Sequence, residues 1–378
     1  MKIEIHQQIK DIPAEQWNHL VEANNPFLRH EFLNALEIHQ CVGEESGWIP
    51  CHIAVFEDEI LKAAMPMYQK YNSQGEFVFD HGWAEAYHRN GIHYYPKLVS
   101  AVPYTPTLGQ RFLCKPEDEA QMFPVLLKSA IQVAQQIKAS SVHWLFSTEP
   151  QHDFLEQAEL LIRHDCQYHW HNNNYTNFDD FLSTLTSRKR KNIKQERRKV
   201  ENAGVTFRLL DGHSATEQDW IHFNEFYSRT FHEKWNTPKF NLDFFVDVAK
   251  QLPEQTFLVL ADFEGECVAG ALMYRSDTHL YGRHWGSSHN FDSLHFEACY
   301  YQGIEYCIHE KLSIFEPGAQ GQHKISRGFI PTRTLSAHWI SDPRFAQAID
   351  QFCKEDRAAI AERISYLETT IPYRKETP

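Results

Sequence analysis

Apolar residues fall at helical spacing in Phe32, Leu33, Leu36 and Ile38, which predicts a short helix over 29–40. Two apolar runs follow, 52–56 and 60–68, separated by Glu57-Asp58-Glu59, and they predict a hairpin of two strands. Residues 72–111 break the periodicity. They are rich in Gly, Pro, Tyr and His, and are expected to form one long ordered loop. A helix over 117–138 and a strand over 141–146 close this half. The second half repeats the order. Strands are expected at 257–262 and 266–274 around Phe263-Glu264-Gly265, then a polar segment, a helix over 293–311 and a strand over 312–316. In that helix Phe296, Cys299, Tyr300, Gly303, Ile304, Cys307 and Ile308 recur with the helical period.

A slide of 206 residues places Ala63 on Ala269, Met67 on Met273 and Tyr68 on Tyr274. The shared order of elements predicts two similar modules, 1–170 and 171–378, in an α/β (α+β) fold. Ser341-Asp342-Pro343 reads as an N-cap with Pro in the first turn. Phe345, Ile349, Phe352, Ile360, Ile364 and Leu367 continue it as an amphipathic packing helix.

Composition narrows the classes. The 378 residues carry 37 basic and 50 acidic side chains, a net −13, which argues against general DNA binding. With 42% apolar and 13% aromatic residues the chain buries a core rather than remaining disordered. No run approaches the length of a membrane span, so no membrane insertion is expected. The polar start Met1-Lys2-Ile3-Glu4 is not that of a signal peptide. The eight cysteines form no CxxC pair, and free thiols in a cytoplasmic protein are expected.

Against the acidic background, 188–199 is an exception, with eight basic residues and one acid among twelve. It falls in an expected helix over 179–202 with a thin apolar stripe of Leu182, Leu185, Ile193 and Val200. Like charges crowded on a helix cost stability, so a nearby anion, such as a phosphate of a nucleotide, coenzyme or tRNA, would account for them. A solvated helix face is the plainer reading. A second segment, 315–329, leaves the C-terminal end of a strand, where ligands of open α/β sheets usually bind. Gly318 and Gly321 permit tight turns, His323, Lys324 and Arg327 suit an anion, and Glu316 suits a general base. The GxxxxGK[ST] pattern is absent, as are HExxH, zinc-type Cys/His spacing and a GxSxG elbow. No metal is expected, although His284, His289 and His295 cluster and His169 and His171 share a strand face. Aromatics of 72–111 fit a pocket wall or a packed loop equally.

These segments resemble the predicted N-acyltransferases of the GNAT-like superfamily described as related to peptidoglycan biosynthesis, relatives of the Fem aminoacyltransferases. The similarity runs through Asn25-Pro26-Phe27-Leu28, Gly47-Trp48, Pro66-Met67-Tyr68 and Gly75-Glu76-Phe77-Val78-Phe79-Asp80. It continues in Tyr94-Tyr95-Pro96-Lys97-Leu98, Thr105-Pro106, the basic run, Phe231-His232-Glu233-Lys234-Trp235, Leu294-His295-Phe296-Glu297 and 315–329. The resemblance implies tandem acyl-CoA N-acyltransferase-like (GNAT/Fem-type) modules, each a mixed sheet flanked by helices. It also implies transfer of an acyl or aminoacyl group to an amine.

The Q/R-x-x-G-x-G/A pyrophosphate loop of ordinary GNAT enzymes is absent. Acyl-CoA, such as acetyl-CoA, and aminoacyl-tRNA therefore both stand as donors. The acceptor is a small molecule or a peptidoglycan-precursor amine; a non-catalytic binding protein on the same fold is the alternative. In the expected site Glu316, with Glu297 second, takes the amine proton. Gly318, Gly321, His323, Lys324, Arg327, Arg188, Arg190 and Lys191 hold the donor. Asp80, Trp83, Tyr94, Tyr95, Lys97 and Tyr104, with Trp285, bind the acceptor between the modules. The sequence does not fix the oligomeric state.

Overall fold

A computed structural model describes residues 1–374. The chain forms two compact units. The first comprises residues 1–166 and 333–363, the second 167–332 together with the C-terminal residues from 364. The expected single boundary near 170 marks the first of three crossings, and most of the C-terminal helix Pro343–Glu368 lies with the first unit.

In the first unit β1 (Lys2–His6), β3 (His52–Glu57), β4 (Ile60–Met65) and β7 (Leu113–Cys114) form an antiparallel sheet in the order β1-β3-β4-β7. A second run of strands joins β2 (Trp48–Pro50), β5 (Tyr68–Lys70), β6 (Lys97–Ser100) and β8 (Ser141–Leu145) in the order β2-β5-β6-β8, with β6 and β8 parallel. The helix Glu119–Gln136 buries Met122, Phe123, Leu126, Ala130 and Ala134 against Ile53, Val55, Ala63, Met65 and Trp144. Each of the Ile, Val, Leu, Met and Phe side chains contributes roughly 1.5–3 kcal/mol when fully removed from water.

The second unit orders its strands β10-β11-β12-β13-β14-β9: β9 (Leu161–His171), β10 (Thr206–Leu210), β11 (Thr256–Phe263), β12 (Glu266–Arg275), β13 (His279–Ser287) and β14 (Ile314–Glu316). Only β13 and β14 among these neighbours run parallel. The last strand, β15 (Ile330–Ile340), returns to the first unit and pairs antiparallel with β8. These mixed sheets flanked by helices are the expected fold class.

The two hairpins match in detail. Both carry a register irregularity, at Val55/Phe56 and at Ala261/Asp262, 206 residues apart. Both turn through two left-handed residues at the same offset, Asp58-Glu59 and Glu264-Gly265. Only the second turn places Gly at its second position, and Glu59 holds a φ of 65°. A left-handed L-residue costs roughly 1–2 kcal/mol, partly offset by the greater unfolded-state freedom of glycine. Glu59→Gly is expected to stabilise the protein by about 0.5–1 kcal/mol. An unchanged denaturant midpoint would contradict this.

Two expectations need correction. Residues 72–111 are not one loop: they hold a helix, His81–Arg89, and the strand β6. Trp83 and Tyr87 on that helix pack with Tyr94, Ile340, Ile349 and Cys353. The basic helix is also two helices, Phe178–Thr184 and Ser187–Asn202. Leu185 and Thr186 between them are extended, Leu185 is buried, and the Thr186 N–H donates to the Pro372 carbonyl.

Candidate functional site

A pocket of about 270 Å³ opens in the second unit. Its walls are β12 (Ala271, Leu272, Met273), β13 (Gly282 to Trp285), the helix carrying His295, Cys299 and Tyr300, and the segment from Pro317 to Lys324. Three local distortions shape it. The β12/β13 register shifts between Leu272/Met273, which face His284 and Gly282, so Arg283 is an extra residue on β13. Such bulges re-aim side chains next to functional sites. Residues Glu297–Tyr301 form a π-helical turn between Leu294–Phe296 and Gln302–Glu310, a feature also frequent at functional sites. After β14 the chain turns at Gly318, φ 95°, whose carbonyl accepts a hydrogen bond of 2.6 Å from Lys324 Nζ.

Lys324 is 2% exposed, and burial pushes its ammonium down from 10.5 to about 7. Burial also lowers the other bases: His295 to about 4, His284 well below the usual imidazole range with help from Arg283, and His323 by a smaller margin. These imidazoles are neutral at pH 7. Arg283, lowered by burial to about 10, keeps its charge. Tyr300 hydroxyl and His323 Nε2 lie 2.9 Å apart. The pocket thus combines a permanent cation with one amine that titrates near neutrality.

The expected site residues fall into five groups. Trp285, Gly318, His323 and Lys324 line the pocket together. Glu316, 2% exposed, ends β14 beside the lining residue Pro317, with His169 Nε2 4.0 Å from Oε2. Gly321, φ 115°, starts the 3-10 turn Gln322–Arg327 that carries His323 and Lys324.

Glu297 and Arg327 are engaged elsewhere. Arg197 grips Glu297 through two hydrogen bonds of 2.9 and 3.1 Å, and Gln302 adds a third. Burial raises the Glu297 carboxyl and Arg197 pulls it back. Arg327 pairs with Glu196 at 2.7 and 3.2 Å, donates to the His323 carbonyl at 2.9 Å and stacks 3.4 Å over the Phe296 ring. It therefore braces the turn that presents His323 and Lys324. Arg188, Arg190 and Lys191 stand on the Ser187–Asn202 helix and make no ion pair among the described residues, whereas Lys194 and Lys199 pair with Asp179 and Asp292.

The remaining candidates form a separate network inside the first unit. Lys97 Nζ reaches Glu76 at 2.7 Å and a close contact with Asp80, and the Tyr94 hydroxyl donates to Asp80 at 2.6 Å. Burial opposes ionisation of Asp80, but Lys97 and His143 hold its carboxyl below the usual range. Burial pushes Glu76 up to about 7. Trp83 stacks on His143, Tyr95 hydroxyl meets Ser73 Oγ at 2.8 Å, and Tyr104 packs on Trp48.

A sequence comparison matches residues 8–375 to the FemAB-like family, described as peptidoglycan biosynthesis/recognition. The chain belongs to the FemAB-like family. Among solved structures, FemX is similar over 93% of this chain and 100% of its own, with a TM-score of 0.58 at 13% identity. The C-terminal domain of a putative lysylphosphatidylglycerol synthetase from Agrobacterium fabrum is similar over 89% and 94%, with a TM-score of 0.53 at 9% identity. A conserved protein of unknown function from Bacteroides thetaiotaomicron covers 90% and 100%, also at 0.53, with 10% identity. No curated protein matches the sequence. These likenesses establish the Fem-type fold. No helix among the described residues is long and apolar enough to cross a membrane.

Within this FemAB-like fold Arg283, His284 and Cys299 are pocket residues that the sequence reading did not select. Arg283 and His284 lie where only a polar segment was expected after residue 274: it holds the strand β13, whose Gly282-Arg283-His284 carries no apolar residue to mark a strand. Outside the pocket, Glu149, His152 and Asp153 bring ligand-type atoms within 4.8 Å of one another, and Arg333 binds Glu149 at 3.0 Å.

Proposed function

We propose that this FemAB-like protein is an N-acyltransferase that moves an acyl or aminoacyl group to an amine of a peptidoglycan precursor or small molecule. Its reacting centre is the pocket of the second unit. The observation that carries this reading is Lys324, a buried pocket amine that loses its proton near pH 7. Neutral Lys324 donates to the Gly318 carbonyl and keeps its lone pair free for the proton of the attacking amine. A base is most useful when its pKa lies near the working pH.

The acceptor nitrogen bonds to the donor carbonyl carbon, and its proton passes to Lys324 Nζ. Arg283 faces the oxyanion that develops. The carbon–oxygen bond of an ester donor, or the carbon–sulfur bond of a thioester, then breaks, and the leaving atom takes the proton from Lys324. Glu316, first choice as base from the sequence, is assigned instead to the charge balance of Arg283, whose pKa it raises.

Arg188, Arg190 and Lys191, without an ion pair among the described residues, favour a phosphate-rich donor, aminoacyl-tRNA over acyl-CoA. For such a donor log K falls with log salt by about 0.7 per phosphate contact on a single strand.

The deciding experiment incubates the protein with charged tRNA or with acetyl-CoA, plus a UDP-linked peptidoglycan precursor, and follows product mass. Transfer that depends on Lys324 supports the reading. Binding without turnover for either donor would leave a non-catalytic binding protein. Glu316→Gln separates the two bases: a fall in kcat of about 10²-fold or more, with Lys324→Met active, would return the role to Glu316.

A further inference from the structure

Trp235 is 99% exposed, while Trp17, Trp48, Trp83, Trp144, Trp170 and Trp220 are buried. The whole face of this flat, amphipathic ring is therefore open for stacking. Its setting is specific. The helix Glu217–His232 that leads to it lies along the pocket wall: the Tyr227 ring is 5.0 Å from that of His284, and Thr230 Oγ1 donates to the Trp285 carbonyl at 3.0 Å. Lys234, next to Trp235, is close enough to His295 to lower its pKa. His284, Trp285 and His295 all line the pocket, so the end of this helix stands at its rim.

The backbone there is held. The Trp235 N–H donates to the His232 carbonyl and the Asn236 N–H to that of Phe231, each at 3.0 Å. Trp235 itself is left-handed, φ 55°, the conformation that closes the C-terminal end of a helix through these two bonds. The ring is thus carried on a fixed post, and Lys234 beside it supplies a positive charge.

We infer that Trp235 is a stacking platform for the purine ring of the donor, with Lys234 beside an adjoining phosphate. This inference rests on the acyl-transfer reading of the pocket. Both donor classes contain adenine, in different places. In an aminoacyl ester of a terminal adenosine the base adjoins the reacting carbonyl. In an acyl-CoA the long pantetheine arm separates them. A platform at the pocket rim suits the first arrangement.

The test titrates wild type, Trp235→Ala and Trp235→Phe with two probes, a CCA trinucleotide and free coenzyme A, by calorimetry. Base–aromatic stacking predicts that Trp235→Ala weakens trinucleotide binding roughly ten- to a hundred-fold. Trp235→Phe should retain most of the affinity, and an exposed ring leaves the melting temperature unchanged. A loss confined to coenzyme A would support stacking but assign the purine to that donor. Equal affinity of wild type and Trp235→Ala for both probes overturns the inference, as does failure of wild type to bind either. A loss seen only with phosphatidylglycerol vesicles would overturn it in favour of a membrane anchor. Failure of the acyl-transfer reading is seen separately, as Lys324→Met retaining full turnover while these affinities still respond to Trp235.

Discussion

Lys324→Met is expected to lower kcat by about 10²–10⁴-fold, the usual contribution of a positioned proton acceptor. Wild type should show activity rising with pH through about 7, because Lys324 accepts a proton only after losing its own. The sign for stability follows from the same shift. The folded state binds fewer protons at this site than the unfolded chain between pH 7 and the ordinary lysine value of 10.5. Wild type therefore gains stability as pH rises across that window, by up to about 1.4 kcal/mol per unit from this group, and loses it as pH falls toward 7. Lys324→Met should remove that increment. A variant that turns over normally, or a stability difference independent of pH between 7 and 9, would refute the assignment.

The second large effect concerns the first unit. Lys97 is fully buried between Glu76 and Asp80. Lys97→Met would leave two buried carboxyls without that cation. Breaking a buried pair from one side costs about 3–5 kcal/mol. For a chain of this size a melting-temperature fall of about 4–6 °C is expected. The remaining acids can avoid charge by binding protons, so the deficit relative to wild type should shrink at pH 5 and grow at pH 8. Adding Asp80→Asn should recover part of the loss. A single-variant loss below about 1 kcal/mol would mean that the network is better solvated than its burial implies.

Much of the fold was legible because it depends on local patterns. The two hairpins follow from alternating apolar runs and from turns at the same offset of 206, and the observed irregularities at Val55/Phe56 and Ala261/Asp262 keep that offset. The segment 72–111 was misread for a local reason. Pro, Gly and aromatics interrupt its periodicity, yet Trp83 and Tyr87 are anchored by partners more than 250 residues away, at Ile340, Ile349 and Cys353.

The candidate site was legible only as far as 315–329, where glycines and cations gather in sequence. Which charges are already engaged is a long-range fact. Nothing near Glu297 announces Arg197, 100 residues earlier, and nothing near Arg327 announces Glu196, 131 residues earlier. Eight basic residues among twelve read as one feature, but partners among the described residues divide them into paired and unpaired members.

The π-helical turn at Glu297–Tyr301 has a further bearing on how such a pocket can change. One residue advances an α-helix by about 100°. The turn acts as a single-residue insertion that lets the helix serve two faces: His295, Cys299 and Tyr300 toward the pocket, and Gly303, Ile304 and Cys307 toward the sheet. Deleting Ala298 would restore one uniform register. The sheet-facing residues could stay packed while the pocket-facing ones swing away by about a quarter-turn. A one-codon deletion could therefore silence or re-specify the pocket while sparing the core.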